Sequence, residues 1–344
     1  MKTIYKRMLS YSCLNALMQR LNYSTRKLSY KWTELGVGEP VNPDTQIYPC
    51  GQVFMHKVLL YRGVIIQHWP ALVHERLHTE VAKKPSKPVP YYQVLADEND
   101  LVHCKVDNPR VSFIPPRSLR KYLNKHMPVM EYPGIDYVSH EDIRPLLLSK
   151  KSKPLQHDLL ETFFIRDDIS TLDVETLCLH AVAGPRFVRT EALQQFQDDL
   201  QPYLYMKDVY RHTTENVRVT VIPFYIGQDA QIHWWRYCVR IENLGEEMVQ
   251  LRSRHWEIFS GSTREVLSDR GVVGKEPVLT TTYPVFQYMS TIPLESPTGT
   301  MWGFYTMERE NGTTFECKIP TFKLEKYSDK HKTIVYPNTN DSTS

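Results

Sequence analysis

No stretch of this chain approaches the roughly 20 consecutive apolar residues that a helix needs to cross a bilayer, and the best candidate, Val58–Ile66, is interrupted by Arg62. No CxxC pair occurs among the six cysteines (Cys13, Cys50, Cys104, Cys178, Cys238, Cys317). Widely spaced cysteines without a secretory signal read as reduced thiols, so neither a disulfide framework nor a cysteine zinc site is expected. Glycine is scarce, 14 residues against 23 prolines, which favours strands and loops over long helices. No Ser-His-Asp set, pair of catalytic carboxylates or P-loop has motif spacing, which weighs toward a non-enzyme. We therefore assign no catalytic, cofactor-binding or metal-ligating residue and no cofactor.

Acidic residues are missing from the first 33 positions, while Lys2, Lys6, Arg7, Arg20, Arg26, Lys27 and Lys31 stand there. Removing those seven from the 42 Lys+Arg leaves 35 against 39 Asp+Glu, so the body carries a net charge of −4. A mildly acidic body argues against a protein whose main task is to grip phosphate backbones. The basic leader places Ile4, Tyr5, Met8, Leu9, Ala16 and Leu17 on one helical face. That is the pattern of a mitochondrial presequence, expected over 1–31, with a cleavage point between Arg20 and Lys31. The alternative is a disordered basic tail.

With 344 residues, 41% hydrophobic and 24% charged, the chain has room for two ordinary domains. Its C-terminal third is dominated by period-two alternation. Val217, Val219 and Val221 alternate with Arg218 and Thr220; Tyr237, Val239 and Ile241 with Arg236, Arg240 and Glu242; Phe315, Cys317 and Ile319 with Glu316 and Lys318. The pattern predicts strands with one buried and one wet face. Turns at Asn243–Gly245, Ser260–Ser262 and Asn311–Gly312 then make an all-β sandwich the expectation.

Ahead of it, 32–49 has the glycine and proline content of a linker. The run 53–69 predicts two strands meeting near Arg62-Gly63, Tyr91–Ala96 a third, and 135–143 a last strand and turn. Residues 97–134 lack a sustained period and read as long loops with a short helix near Leu119–Leu123. A small, curled, SH3-like β barrel with a long inserted loop is the economical interpretation. Helical spacing then appears in Leu155, Leu159, Leu160, Phe163 and Phe164, and in Ala192, Leu193, Phe196 and Leu200 before Pro202. A helical connector is expected over 149–212, and a disordered tail over 327–344.

Four motifs invite chemistry. His74-Glu75-Arg76-Leu77-His78 matches HExxH, in which two histidines one helical turn apart bind zinc and the glutamate polarises the bound water. No third ligand stands on an obvious helix, and Pro85 crowds the segment, so a solvated helix or loop is the preferred interpretation; a zinc hydrolase through His74, Glu75 and His78 is the alternative. Gly271-Val272-Val273-Gly274 has Asp269 where GxGxxG needs glycine, and strand patterns flank it, so a turn is expected rather than a dinucleotide site. The proline-rich piece 83–90 reads as a loop before a polyproline docking motif. His233 to Tyr237 combines aromatic and cationic groups of the kind that anchor interfaces or stack on bases. Alternation makes one tryptophan core and the other an anchor. Trp234, Arg236, Arg252 and Arg254 form the candidate interaction surface, with local ion pairing to Glu242 and Glu257 the competing interpretation.

Specific blocks carry a resemblance. VQLRSRHWEIFSG at 249–261, the GVVG turn at 271–274, FQYMSTIPLESPTGTMWGFYTM at 286–307 and FECKIPTFKL at 315–324 resemble the ApaG family. YRGVII at 61–66, YYQVL at 91–95 and YVSHEDI at 137–143 resemble the YccV/HspQ family. The tandem order, with TTENVRVTVIPFY at 213–225 and WWRYCVRIENL at 234–244, is similar to that of mitochondrial, partly nuclear, non-enzymatic adaptors. The resemblance implies a YccV/HspQ-like barrel over 50–148 and an immunoglobulin/fibronectin-III-like ApaG sandwich over 213–326. It implies protein partners: the small subunit of DNA polymerase delta, the sliding clamp, a primase-polymerase and the mitochondrial Clp unfoldase. Bacterial relatives of the first module are linked to hemimethylated DNA and to substrate delivery to proteases. The implied location is the mitochondrial matrix, with the nucleus as a second site, and the implied state a monomer without a membrane span. Asp269 weakens the pyrophosphate-binding idea attached to the ApaG glycine motif, and HERLH lies outside the family pattern. A module acting directly on DNA remains the main alternative to an adaptor.

Overall fold

The computed structural model describes residues 38–41, 47–77, 88–104, 110–113, 130–148, 152–166, 187–204 and 208–326. The expected presequence, most of the proline-rich piece, His78, Leu119–Leu123 and the tail lie outside them. Strands dominate what is described. In the first module these are β1 (Glu39–Pro40), β2 (Val53–His56), β3 (Arg62–Leu77), β4 (Val89–Ala96), β5 (Arg110–Phe113), β6 (Met130–Pro133), β7 (Ile135–Ser139) and β8 (Ile143–Leu147). A 3-10 turn, His140–Asp142, joins β7 to β8, and a short helix α1 (Glu98–Cys104) follows β4 where the sequence pattern suggests loop.

The β2–β3 turn falls one step earlier than expected. Leu60 takes φ of 65°, and its N–H donates to His56 O at 2.9 Å, so the chain reverses before Arg62. Gly63 serves close packing instead: a Cβ there would stand 2.6 Å from Leu95 O and 2.9 Å from the Phe54 ring.

After two short connector elements, α2 (Leu160–Phe163) and β9 (Phe164–Arg166), come β10 (Phe187–Arg189) and α3 (Glu191–Leu204). Thr190 caps α3, its Oγ1 accepting from Leu193 N at 3.3 Å. Leu160, Phe163, Leu193 and Phe196, spaced for one face, are all buried in the first core. The second module comprises β11 (Asp208–Thr214), β12 (Val217–Asp229), β13 (Ile232–Asn243), β14 (Val249–Ser260), β15 (Thr263–Arg270), β16 (Val278–Leu279), β17 (Val285–Leu294), β18 (Thr298–Arg309) and β19 (Thr314–Glu325). The three predicted turn sites fall between strands.

The modules are joined by more than a connector. β3 is long enough to leave its own module and pair in parallel with β11, from Leu72 opposite Asp208 to Leu77 opposite Thr213. One ten-stranded sheet therefore runs through both, along the path β1-β8-β2-β3-β11-β12-β13-β17. A second, five-stranded sheet, β15-β14-β18-β19 with β16 on β14, faces its C-terminal part. Between the two sheets Val217, Val219, Val221, Val239, Ile241, Tyr305 and Phe322 are all fully buried.

The reverse face of β12 and β13 departs from expectation. Alternation predicts it wet, yet Ile222, Phe224, Ile226 and Cys238 are buried there against Trp69, Tyr137 and the connector helices. Burying a side chain of this size contributes about 1.5–3 kcal/mol, so the first module and the connector act as a third layer over the large sheet.

Candidate functional site

The four candidate surface residues do not share a surface. Trp234 and Arg236 lie on β13 and point to the covered reverse face; Trp234 packs on the first core. Arg236 is 6% exposed and donates to Met289 Sδ at 3.0 Å. Arg252 and Arg254 lie on β14, in the other sheet. A register shift between Leu251 and Ser253 separates their directions. Arg252 binds Glu308 (2.7 Å) and Glu276 (3.1 Å). Arg254 binds Asp269 (2.9 Å) and Gly271 O (2.8 Å). Local ion pairing thus engages both β14 guanidiniums. Trp235, 1% exposed, belongs to the inter-sheet core.

What β13 carries on its reverse face is a buried ionic junction. Arg240 Nη1 donates to Asp142 Oδ2 of the first module at 2.7 Å, and its Nη2 lies 3.1 Å from Glu242. Arg218 forks onto Glu242 at 2.7 and 3.1 Å. Gln287 on β17 donates to Asp136 on β7 at 2.8 Å, and Tyr61 OH donates to the other oxygen at 2.6 Å. A cavity of about 20 Å³ lies among these groups, lined by both modules. Burial would raise the Asp142 carboxyl, but Arg240 and His56 hold it well below the usual carboxylate range. Burial followed by Arg240 pushes His56 down to about 3, and burial pushes Asp136 up. These perturbed groups all belong to the first module and face Arg240 and Gln287 of the second across the boundary. Their chemistry is that of a clamp that fixes one module against the other.

The face left uncovered in the second module is the outer side of the small sheet. Trp302 and Phe304 alternate there with the buried Met301, Tyr305 and Met307. His255 stacks on Phe304 with ring centroids 4.8 Å apart. Phe259 and Val266 are 46% and 51% exposed. Arg264, followed by the Trp302 indole, keeps Glu257 ionised below its ordinary range. Aromatics framed by charge are the composition of a protein-binding surface. Alternation in TMWGFYTM could have pointed to Trp302 and Phe304, because apolar residues at both parities mean one set faces outward.

The described part of the HERLH segment, His74 to Leu77, is neither helix nor loop but strand. His74 and Glu75 lie within strand β3, paired with Tyr210 and Arg211 of β11. His74 Nε2 binds Asp208 Oδ1 at 2.6 Å and its ring stacks on Tyr210. His74 to Leu77 are extended, not the helical turn that the HExxH arrangement requires, and His78 lies outside the described residues. Among the described residues no group of three His, Cys, Asp or Glu could hold a metal ion. The GVVG segment is a turn: Val272 and Lys275 exchange backbone hydrogen bonds of 2.8 Å, and Gly271 and Gly274 take φ of 62° and 76°. Strand β15 precedes it and no helix follows, so no dinucleotide fingerprint exists.

With this architecture in view, comparisons with known proteins agree with both modules. Residues 226–309 match the ApaG domain family. Residues 47–171 match the family described as hemimethylated DNA-binding protein YccV like. The chain is 41% identical over 303 residues to polymerase delta-interacting protein 2 of Mus musculus, covering 82% of this chain and 77% of that protein. Identity to polymerase delta-interacting protein 2 of Homo sapiens is 40%, with the same coverage. Protein ApaG of Xanthobacter autotrophicus is 44% identical over 123 residues, 34% of this chain and 93% of the bacterial protein.

Proposed function

This chain belongs to the polymerase delta-interacting protein 2 family, and on that premise we propose that it is a non-enzymatic adaptor that binds DNA replication and repair polymerase factors. The observation that carries the proposal is the identity of about 40% running through both modules at once. The small subunit of DNA polymerase delta is the first partner, and the outer face of the small sheet, with Trp302, Phe304 and His255, is the surface offered to it. The sliding clamp, a primase-polymerase and the Clp unfoldase are further partners, the last engaged in the mitochondrial matrix. The basic leader supports that location, with the nucleus as a second one.

Titration of the purified chain against the isolated small subunit tests this. Binding that weakens at least tenfold in Trp302→Ala/Phe304→Ala is the expected result. Binding unchanged by the double substitution would remove this face, and no binding at all would remove the partner. Fractionation of cells expressing the tagged chain, with signal absent from mitochondria, would overturn the location.

A second reading has its own support, the match of residues 47–171 to a family described as DNA-binding. In that reading the first module contacts hemimethylated DNA directly. It predicts affinity that falls steeply with salt; absence of binding at low salt would eliminate it. The acidic body and the internal pairing of Arg252 and Arg254 favour the adaptor.

A further inference from the structure

Along one side of the second module the large sheet ends at β17 and the small one at β15, and among the described residues no strand pairs with the outer edge of either. The β15 edge is protected, because Arg264, Glu265, Asp269 and Arg270 stand on it and charged side chains discourage edge pairing. The β17 edge has no such protection. Its stretch 285–292 holds neither a charged residue nor a proline, and its pairing with β13 runs through without a bulge. A regular, uncharged edge of this kind is a template for one more strand.

Between the two edges opens a cleft of about 450 Å³, with the buried Trp256, Ile258 and Met301 as its floor and Tyr288 and Ile292 on the β17 wall. Its volume lies in the range of ligand pockets. The opposite wall, from β15, presents Glu265, Leu267 and Asp269, and every residue of that strand is exposed. Charge selects what fits there. Arg254 is the single cation of the lining, and it is engaged by Asp269 at 2.9 Å and by Gly271 O at 2.8 Å. Glu265 has no ion pair or hydrogen bond among the described residues. The opening therefore carries one uncompensated negative charge above an apolar floor. A Lys or Arg side chain matches both features, because its methylene stem packs on apolar surface while its head stays at a polar rim. Phosphate and nucleic acid would be repelled, and a wholly apolar group would leave Glu265 unanswered.

We propose that the β17 edge and this cleft form a docking site for an extended segment of a partner protein, which pairs as an added strand along 288–292 and inserts one Lys or Arg side chain between the sheets. The stem of that side chain lies over Trp256 and its head meets Glu265. Main-chain hydrogen bonds to β17 give the affinity, and Glu265 gives the preference for a basic residue. The site is distinct from the outer face of the small sheet, where Trp302 and Phe304 stand, so the two surfaces can be lost separately.

Four synthetic peptides, acetyl-Thr-Val-Xaa-Val-Thr-amide with Arg, Lys, Leu or Glu at the centre, titrated into the full chain by calorimetry test this, with amide hydrogen exchange locating the contact. The Arg and Lys peptides are expected to bind at least tenfold more tightly than the Leu and Glu peptides, and to slow exchange at the β17 amides that point away from β13 while leaving β12 unchanged. Methylation of the peptide's main-chain nitrogens abolishes binding. Glu265→Lys, at an exposed position where the melting temperature stays that of the parent, reverses the order in favour of the Glu peptide, and Trp302→Ala/Phe304→Ala leaves the order as it is. Equal affinity for the four peptides, or no binding at millimolar concentration, would overturn the proposal. So would slow exchange at those β17 amides without peptide: lost on dilution it would mean a second copy on the edge, and retained it would mean a segment of the same chain.

Discussion

Arg240 of β13 and Asp142 of the first module meet across the boundary at 2.7 Å, with side chains only 13% and 11% exposed. Each has further partners: Ser139 Oγ donates to Asp142 at 2.8 Å, and Glu242 lies 3.1 Å from Arg240. A buried pair of this kind adds little net energy over an apolar replacement, but breaking it strands a charge, at a cost of about 3–5 kcal/mol. Arg240→Met is therefore expected to destabilise the whole described body, and Arg240→Met/Asp142→Leu to recover part of the loss. Urea unfolding followed by fluorescence measures both. A single variant within 1 kcal/mol of the parent would show that the junction does not hold the modules together.

His56 sits at the same junction and makes stability depend on pH. Its Nδ1 accepts from the backbone N–H groups of Val58 and Leu59 at 3.2 and 3.1 Å, so a proton there would displace both. Arg240, Asp142, Glu242 and Lys57 are the charges that face it. Burial and Arg240 lower the folded value to about 3, against an ordinary value of about 6.5 in the unfolded chain. The unfolded state therefore takes up the proton first as pH falls. The His56 contribution is complete above about 6.5 and is lost progressively toward 3. Asp136, raised by burial, opposes this in part, because the folded state then gains a proton earlier. The expected outcome is a melting temperature that drops between pH 6.5 and 4, with a shallower drop in His56→Gln. Parallel profiles for the two proteins would refute it.

Most strands of the second module were legible because alternation is a local property of the chain. The inward sets Val217, Val219, Val221 and Val239, Ile241 are where the pattern puts them. Alternation puts Ile222, Phe224, Ile226 and Cys238 on the face it leaves wet, because an outward apolar residue looks alike whether water or another module covers it. The extension of β3 through His74 to Leu77 was hidden for a related reason. Polar residues there suit a strand only once β11 supplies its parallel partner, some 130 positions later in the chain. Alternation gives Trp234 and Arg236 their common face but not its neighbours, the first module and Met289. Arg252 and Arg254 were separated by a bulge that sequence spacing does not reveal.

That bulge has a twin that fixes a glycine. The β18–β19 register shifts between Met301 and Gly303. A Cβ on Gly303 would collide with His255 O and crowd Trp256 Cα at 3.2 Å. The atoms it meets are all β14 backbone, with no flexible group to yield, so Gly303→Ala must part β14 from β18. Overpacking of this kind costs about 1–3 kcal/mol or more. The expected readout is a lowered urea midpoint, with loss of the His255–Phe304 stack and weaker binding of the small-subunit partner. Gly312→Ala is the control for backbone conformation, since its Cβ would meet nothing within 4 Å although φ is 81°. A Gly303→Ala protein as stable as the parent would contradict the packing of the small sheet.

His74 offers the sharpest separation between metal chemistry and sheet chemistry. Its Nε2 is 2.6 Å from Asp208 Oδ1, at the first rungs of the parallel β3–β11 pairing, with the two side chains 34% and 29% exposed. A half-exposed pair is worth about 1 kcal/mol at most, which for a chain of this size corresponds to a shift of roughly 2 °C. His74→Ala should lower the melting temperature by about that amount, and the double variant with Asp208→Ala should lose less than the sum of the two single effects, because both remove the His74–Asp208 contact. EDTA should leave the melting temperature of the parent unchanged, and added zinc should not raise it. Stoichiometric zinc in the purified protein, or a stabilisation by zinc that His74→Ala abolishes, would restore the HExxH interpretation. It would also require the β3 strand to rearrange into a helix, which loss of the parallel seam to β11 would expose by hydrogen exchange at Val209 and Arg211.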